Sequence, residues 1–125
     1  MALYAQQIAY TPTAWAAQLK APQNRLEAVQ QVIERLGGRL VNGWFTFGDY
    51  DVLVICELPD NVSATAFSMA VAAGGALKAV KTTPLLTFED GIAAMHKARE
   101  AEYTPPRSEI PYFGVYRGGA EGSRT

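Results

Sequence analysis

Tyr50 and Asp51 follow a Gly48-Asp49 pair, and they lead the side chains in this sequence suited to acid–base work. A phenol can bind or protonate an oxyanion, and a carboxylate can accept a proton or hold a cation. A structural role competes at both positions. Asp51 can bond backbone amides of the turn, and Tyr50 can pack over Gly48. His96 is the single histidine, and imidazole is the side chain that titrates closest to neutral pH. Helical spacing puts it on the flank of a stripe formed by Phe88, Ile92 and Met95. There it either lines a pocket or sits half-exposed at a boundary. Tyr50, Asp51 and His96 are the candidate catalytic residues.

A second group suits binding. Trp15, Trp44, Phe45 and Phe47 can wall a hydrophobic pocket for an aromatic or polyketide-like ligand, with Tyr50 and His96 beside them. The competing role is plain core. Lys78, Lys81 and Arg39 can steer an anion or simply solvate strand ends. Cys56, on an apolar strand, reads as an inert core thiol. There is no G-x-S-x-G elbow, Walker A loop, G-x-G-x-x-G fingerprint or H-E-x-x-H pair. No cofactor is expected. Haem would rest on His96 alone.

Composition narrows the classes further. The 125 residues and 13.5 kDa leave room for one compact domain. Apolar residues at 49% and charged residues at 18% describe a globular chain able to bury a core. Eleven basic against twelve acidic residues give a net charge of −1, which speaks against a nucleic-acid partner. One Cys and one His cannot complete a Cys/His zinc site, and a carboxylate-rich site, though open, has no motif here, so no metal is expected. A lone Cys fits a reducing compartment. The first residues lack a basic stretch followed by an apolar one, and no apolar run spans a bilayer. A cytoplasmic location without membrane contact is expected.

The elements that would position these groups are legible from period and punctuation. Leu3 to Tyr10 reads as a strand. Thr11-Pro12 starts a helix, with Trp15 and Leu19 on one face. Ala21-Pro22 interrupts it, and a longer helix follows with Leu26, Val29, Ile33 and Leu36 as its stripe. Gly37-Gly38 ends that helix. Arg39 to Phe47 and Tyr50 to Leu58 read as strands joined by a two-residue Gly48-Asp49 hairpin. Asp60 or Asn61 caps a helix running to about Ala73, whose small face is Ala66, Met69, Ala70 and Ala73. Ala76 to about Thr83 is a fourth strand, with Pro84 marking an edge or bulge. Thr87 and Asp90 open a last helix, to about Glu102.

The order β-α-β-β-α-β, with an extra C-terminal helix, matches the ferredoxin-like α+β arrangement of two helices on a four-stranded antiparallel sheet. Residues 1-102 form this domain, and 103-125 form a tail rich in Pro, Gly and aromatics. Tyr112, Phe113 and Tyr116 in the tail fit either a disordered terminus or a strap across a partner subunit.

The second face of the sheet is the most informative feature. Strict alternation places Leu40 and Trp44 on one face of the second strand and Val41, Phe45 and Phe47 on the other. In the third strand Val52, Val54, Cys56 and Leu58 face one way, and Leu53 and Ile55 the other. Helices cover one face, so the other would leave an apolar patch large for a monomer. A homo-oligomer is expected, most simply a twofold dimer with sheets face to face.

Phe47-Gly48-Asp49-Tyr50-Asp51, followed by the apolar run Val52 to Glu57 and Pro59-Asp60, resembles the GYD domain family, named for this Gly…Tyr-Asp turn. Tyr10-Thr11-Pro12 with Trp15, the Leu36-Gly37-Gly38 junction and Thr82-Thr83-Pro84-Leu85-Leu86-Thr87 also look like it. The resemblance covers roughly residues 1 to 100 and leaves the tail outside. It implies a ferredoxin-like fold of the dimeric α+β barrel type, without implying an activity. Proteins of similar fold include cofactor-independent monooxygenases, polyketide cyclases, haem-binding proteins and plain ligand binders.

Three functional readings follow. The first is a small homo-oligomer that binds a hydrophobic or aromatic small molecule between sheet and helices. The second is a cofactor-independent enzyme of monooxygenase, cyclase or isomerase type, using Tyr50, Asp51 or His96. The third is a ligand-free assembly or regulatory module.

Overall fold

The computed structural model describes residues 1–106. Its elements run β1 (Ala2–Tyr10), α1 (Pro12–Lys20), α2 (Leu26–Arg35), β2 (Arg39–Phe45), β3 (Val52–Leu58), α3 (Asn61–Ala73), β4 (Leu77–Leu85) and α4 (Phe88–Ala101). The strands form one antiparallel four-stranded sheet in the order β2-β3-β1-β4. This is the ferredoxin-like α+β arrangement expected from the element order, with β2 and β4 at the edges. Contacts divide the chain into two compact units, Met1–Glu89 and Asp90–Thr125. Tyr112, Phe113 and Tyr116 lie outside the described residues.

Local chemistry explains the boundaries. Thr11 caps α1 by accepting from the Ala14 amide at 3.1 Å, with Pro12 in the first turn. Asp60 caps α3 by accepting from the Ser63 amide at 2.8 Å. Those bonds with Ser63 hold the Asp60 carboxyl below its ordinary range. Asn61, the other cap candidate, instead accepts from the Tyr4 hydroxyl at 2.7 Å. Gly37, at φ +84°, ends α2 in the left-handed region that glycine adopts cheaply. Pro84 sits within β4, where an edge strand tolerates its missing N–H.

The core lies on one face of the sheet. Tyr4, Val54, Cys56 and Leu58 are buried there against Ile33 of α2 and Ala64 and Phe67 of α3. Leu26, Val29 and Leu36 pack around this cluster, as the α2 stripe requires. The face of α3 differs from expectation. Ala64, Phe67 and Val71 turn inward at helical spacing, while Met69 and Ala70 are exposed. The run of small residues masked the one large side chain that fills the gap.

Gln6 is the one buried polar side chain among the described residues. Its Oε1 accepts from Thr82 at 2.6 Å, while its Nε2 has no hydrogen-bond partner of good geometry there. Burial pushes the neighbouring Cys56 thiol up to about 11, with Gln6 opposing the rise.

The β2–β3 connection corrects two expectations. The strands end at Phe45 and resume at Val52, so the link is a six-residue loop, 46–51, and not a two-residue hairpin. Phe47, Tyr50 and Asp51 therefore lie outside the strands. The Thr46 amide donates to the Asp51 carbonyl at 2.9 Å, and the Thr46 hydroxyl to the Tyr50 carbonyl at 2.7 Å. These bonds close the loop from within, and Gly48 at φ +109° turns its tip.

The register of β2 corrects a third. Leu40 pairs with Cys56 but Asn42 pairs with Ile55, so Val41 is an extra residue in a bulge. A one-residue slip exchanges the faces of everything beyond it. Gly43 and Phe45, opposite Val54 and Val52, therefore share the helix-covered face with Leu40. Trp44, opposite Leu53, lies on the other face.

Candidate functional site

The bulge decides what surrounds the site. Gly43, on the helix-covered face, lets the Leu26 side chain of α2 pack close against β2. A Cβ there would come within 2.7 Å of Leu26 Cδ1. Beside this contact α2 and the sheet border an open cavity of about 350 Å³. Its apolar wall is Leu26, Val29, Gly43, Phe45 and Val52, and Trp44 borders it at the β2 edge. Tyr10, Asn24 and Arg25 supply the remaining lining. The volume lies at the small end of the range for ligand sites.

Aromatic rings frame one side. Trp15 packs edge-on against Tyr10 with centroids 5.3 Å apart. It also packs against Phe45 at 6.5 Å and an interplanar angle of 32°. Both distances fall in the range where ring pairs attract. Phe45 nevertheless remains 68% exposed, and Trp44 50%. Phe47 is fully exposed and belongs to the loop. Leu19, expected to share the Trp15 face, is also exposed.

Asp51 anchors this group. Its Oδ2 accepts from the Tyr10 amide at 2.8 Å and from Trp15 Nε1 at 3.3 Å. Its own amide donates to the Ile8 carbonyl at 2.8 Å. The bonded amide belongs to the end of β1 and not to the turn. One carboxylate thus ties the β2–β3 loop to β1 and α1. Burial raises the Tyr10 phenol above its ordinary value; Arg25 opposes the rise and Asp51 adds to it. A phenol so placed remains a donor throughout the neutral range.

The sequence candidates within the first unit do not all converge. Asp51 and Trp15 meet, but neither is in the cavity wall; Trp44 and Phe45 are. Tyr50 is half-buried in the loop, with its carbonyl bonded to Thr46. His96 belongs to the second unit, where its Nδ1 lies 3.1 Å from the Arg99 guanidinium on an exposed helix surface. Arg39 is paired with Glu57 at 3.2 Å. Among the described residues no three His, Cys, Asp or Glu side chains gather as a metal site would require. No described helix is long and apolar enough to cross a membrane.

Tyr10, Asn24 and Arg25 escaped the sequence reading. Tyr10 reads as a strand residue, and Asn24-Arg25 as part of a helix start. The available signal was the Pro22 break, which forces a bend just before an amphipathic helix and brings its first polar residues over the sheet edge.

An antiparallel sheet with α2 and α3 packed on its core face and an apolar cavity beside α2 defines a ferredoxin-like α+β domain with a candidate ligand site. A comparison with protein families matches residues 4–95 to the GYD domain, and the chain belongs to that family. A search of curated proteins found no match to the chain.

Proposed function

We propose that this protein binds a hydrophobic or aromatic small molecule in the cavity between α2 and the β2–β3 side of the sheet. The observation that carries the reading is the cavity itself. It is about 350 Å³, has an apolar wall, and is bordered by aromatic side chains left substantially exposed. Burying such rings against a ligand is favourable at about 25 cal/mol per Å² of apolar surface. The test is titration with 2-naphthol, a neutral probe of suitable size, followed by amide NMR. Saturable shifts centred on Leu26, Val29, Gly43 and Val52 are expected. No saturable shift at millimolar probe would overturn the reading.

The same proposal includes self-association. Leu3, Leu53, Ile55, Trp44 and Leu85 share the sheet face opposite the core by register. Leu3 and Leu85 are each 37% exposed there. A second copy packing sheet to sheet would remove this surface from water, in the dimeric α+β barrel manner. Light scattering coupled to sizing should give at least a dimer at micromolar protein, and Leu53→Glu should dissociate it. A wild-type monomer would remove self-association from the proposal. The single buried thiol fits a cytoplasmic setting.

For Asp51 the structure favours a positioning role over acid–base catalysis, because its Oδ2 is committed to two N–H donors.

A further inference from the structure

The polar part of the cavity lining consists largely of donors. Arg25 brings a guanidinium and Tyr10 a phenol. Asn24 has its side-chain carbonyl occupied by the Leu26 amide at 3.0 Å, so the function it has left is its NH2. Among the described residues the one side-chain ion pair joins Arg39 to Glu57, so Arg25 has no carboxylate partner there. Asp51, the carboxylate that touches Tyr10, is not in the cavity wall, and its Oδ2 is already held by two N–H groups. Arg25 makes no side-chain cap for α2 either. An exposed arginine at an apolar cavity, with two further donors and no anion of its own among the described residues, is an incomplete constellation.

We propose that the ligand is a planar aromatic carboxylate, its ring against Leu26, Val29, Phe45 and Val52 and its charged end at Arg25, Tyr10 and Asn24. The inference rests on the binding function proposed above and specifies the ligand's charge. Each part of such a molecule matches a part of the cavity. The ring replaces water on the apolar wall. The carboxylate matches the guanidinium fork, which can take both oxygens at once. A single negative charge answers a single cation, which favours a carboxylate over a phosphate. The Tyr10 hydroxyl, kept protonated by its surroundings, supplies a donor and not a competing negative charge.

The test compares naphthalene-2-carboxylate with naphthalene-2-carboxamide, which share ring and shape and differ in charge. Calorimetric titration of the whole protein at pH 7.5 should give about tenfold tighter binding of the carboxylate, the scale of one charge-assisted bond. Arg25→Gln should remove the preference, so that the carboxylate and the amide bind alike. Arg25→Lys should fall between. Raising the salt from low to high should weaken the carboxylate and not the amide. Arg25 is exposed and caps nothing through its side chain, so circular dichroism should show these variants folded. Equal binding of both probes, or an Arg25→Gln variant that keeps the preference, would overturn the charge assignment and leave the cavity function standing. Binding of neither probe would overturn both.

Discussion

The Asp51 carboxylate accepts the backbone amide of Tyr10 at 2.8 Å, across 41 residues of sequence. The same oxygen holds the Trp15 indole at 3.3 Å. Through these bonds the turn that carries the family's Gly…Tyr-Asp pattern sets the end of β1, and with it the Tyr10 ring at the cavity. Asp51 is a positioning residue. Asp51→Ala should therefore cost about 1.5–3 kcal/mol, the scale for bonds to a charged acceptor. It should also weaken probe binding, although Asp51 does not line the cavity. Asp51→Asn keeps an acceptor oxygen and should lose less of both. Urea denaturation with parallel titration reads the two effects; an Ala variant of unchanged stability would contradict this role.

Gln6 and Thr82 should behave as a coupled pair. Thr82→Val removes the donor to Gln6 Oε1 and leaves the whole buried carboxamide unsatisfied. The expected cost is about 1–2 kcal/mol. Adding Gln6→Leu removes the orphaned group, so the double variant should recover most of the loss or exceed wild type. A double-mutant cycle measures the coupling. Additive losses would show that the pair is not linked as the structure indicates.

Gly38→Ala should be among the most damaging small changes. A methyl there would run into the Glu57 backbone carbonyl and lie 2.7 Å from Leu58 Cδ2. The carbonyl belongs to a paired strand and cannot move aside. A loss of about 3 kcal/mol or more is expected from such overpacking. Gly43→Ala meets mainly the end of the Leu26 side chain and should cost less. Thermal melts of the two variants give the order directly.

Cys56 links stability to alkaline pH. The folded chain holds its thiol neutral up to about 11, against an ordinary value near 9. Below pH 9 both states keep the proton, and the full stability is present. Between 9 and 11 only the unfolded chain gives it up, so stability should fall across that window. The raised Tyr10 phenol acts in the same direction at the upper end. In Cys56→Ala the part of the decline due to the thiol should vanish. At pH 8 the native thiol should react with a disulfide reagent only as fast as the chain opens.

Much of this architecture follows from the chain alone. Pro12, Pro22, Asp60 and the Gly37-Gly38 pair act within a few residues of themselves, so helix ends were legible from them. The apolar stripe of α2 identifies its buried side for the same reason. The antiparallel order follows because short connections and one amphipathic face per helix leave few other arrangements. The two aromatic neighbours Trp44 and Phe45 could be named as cavity residues from their type. The Val41 bulge could not be seen, because inserting one residue changes pairing across strands without leaving a local mark. That register decides that Gly43 and Phe45 share the helix-covered face while Trp44, which borders the cavity at the strand edge, pairs with Leu53 on the other. Long-range contacts also decided that Asp51 serves the end of β1, and that Tyr10, Asn24 and Arg25 meet at one opening. Residues 10 and 25 are separated by a helix and a bend, and only the closed sheet fixes where that path returns.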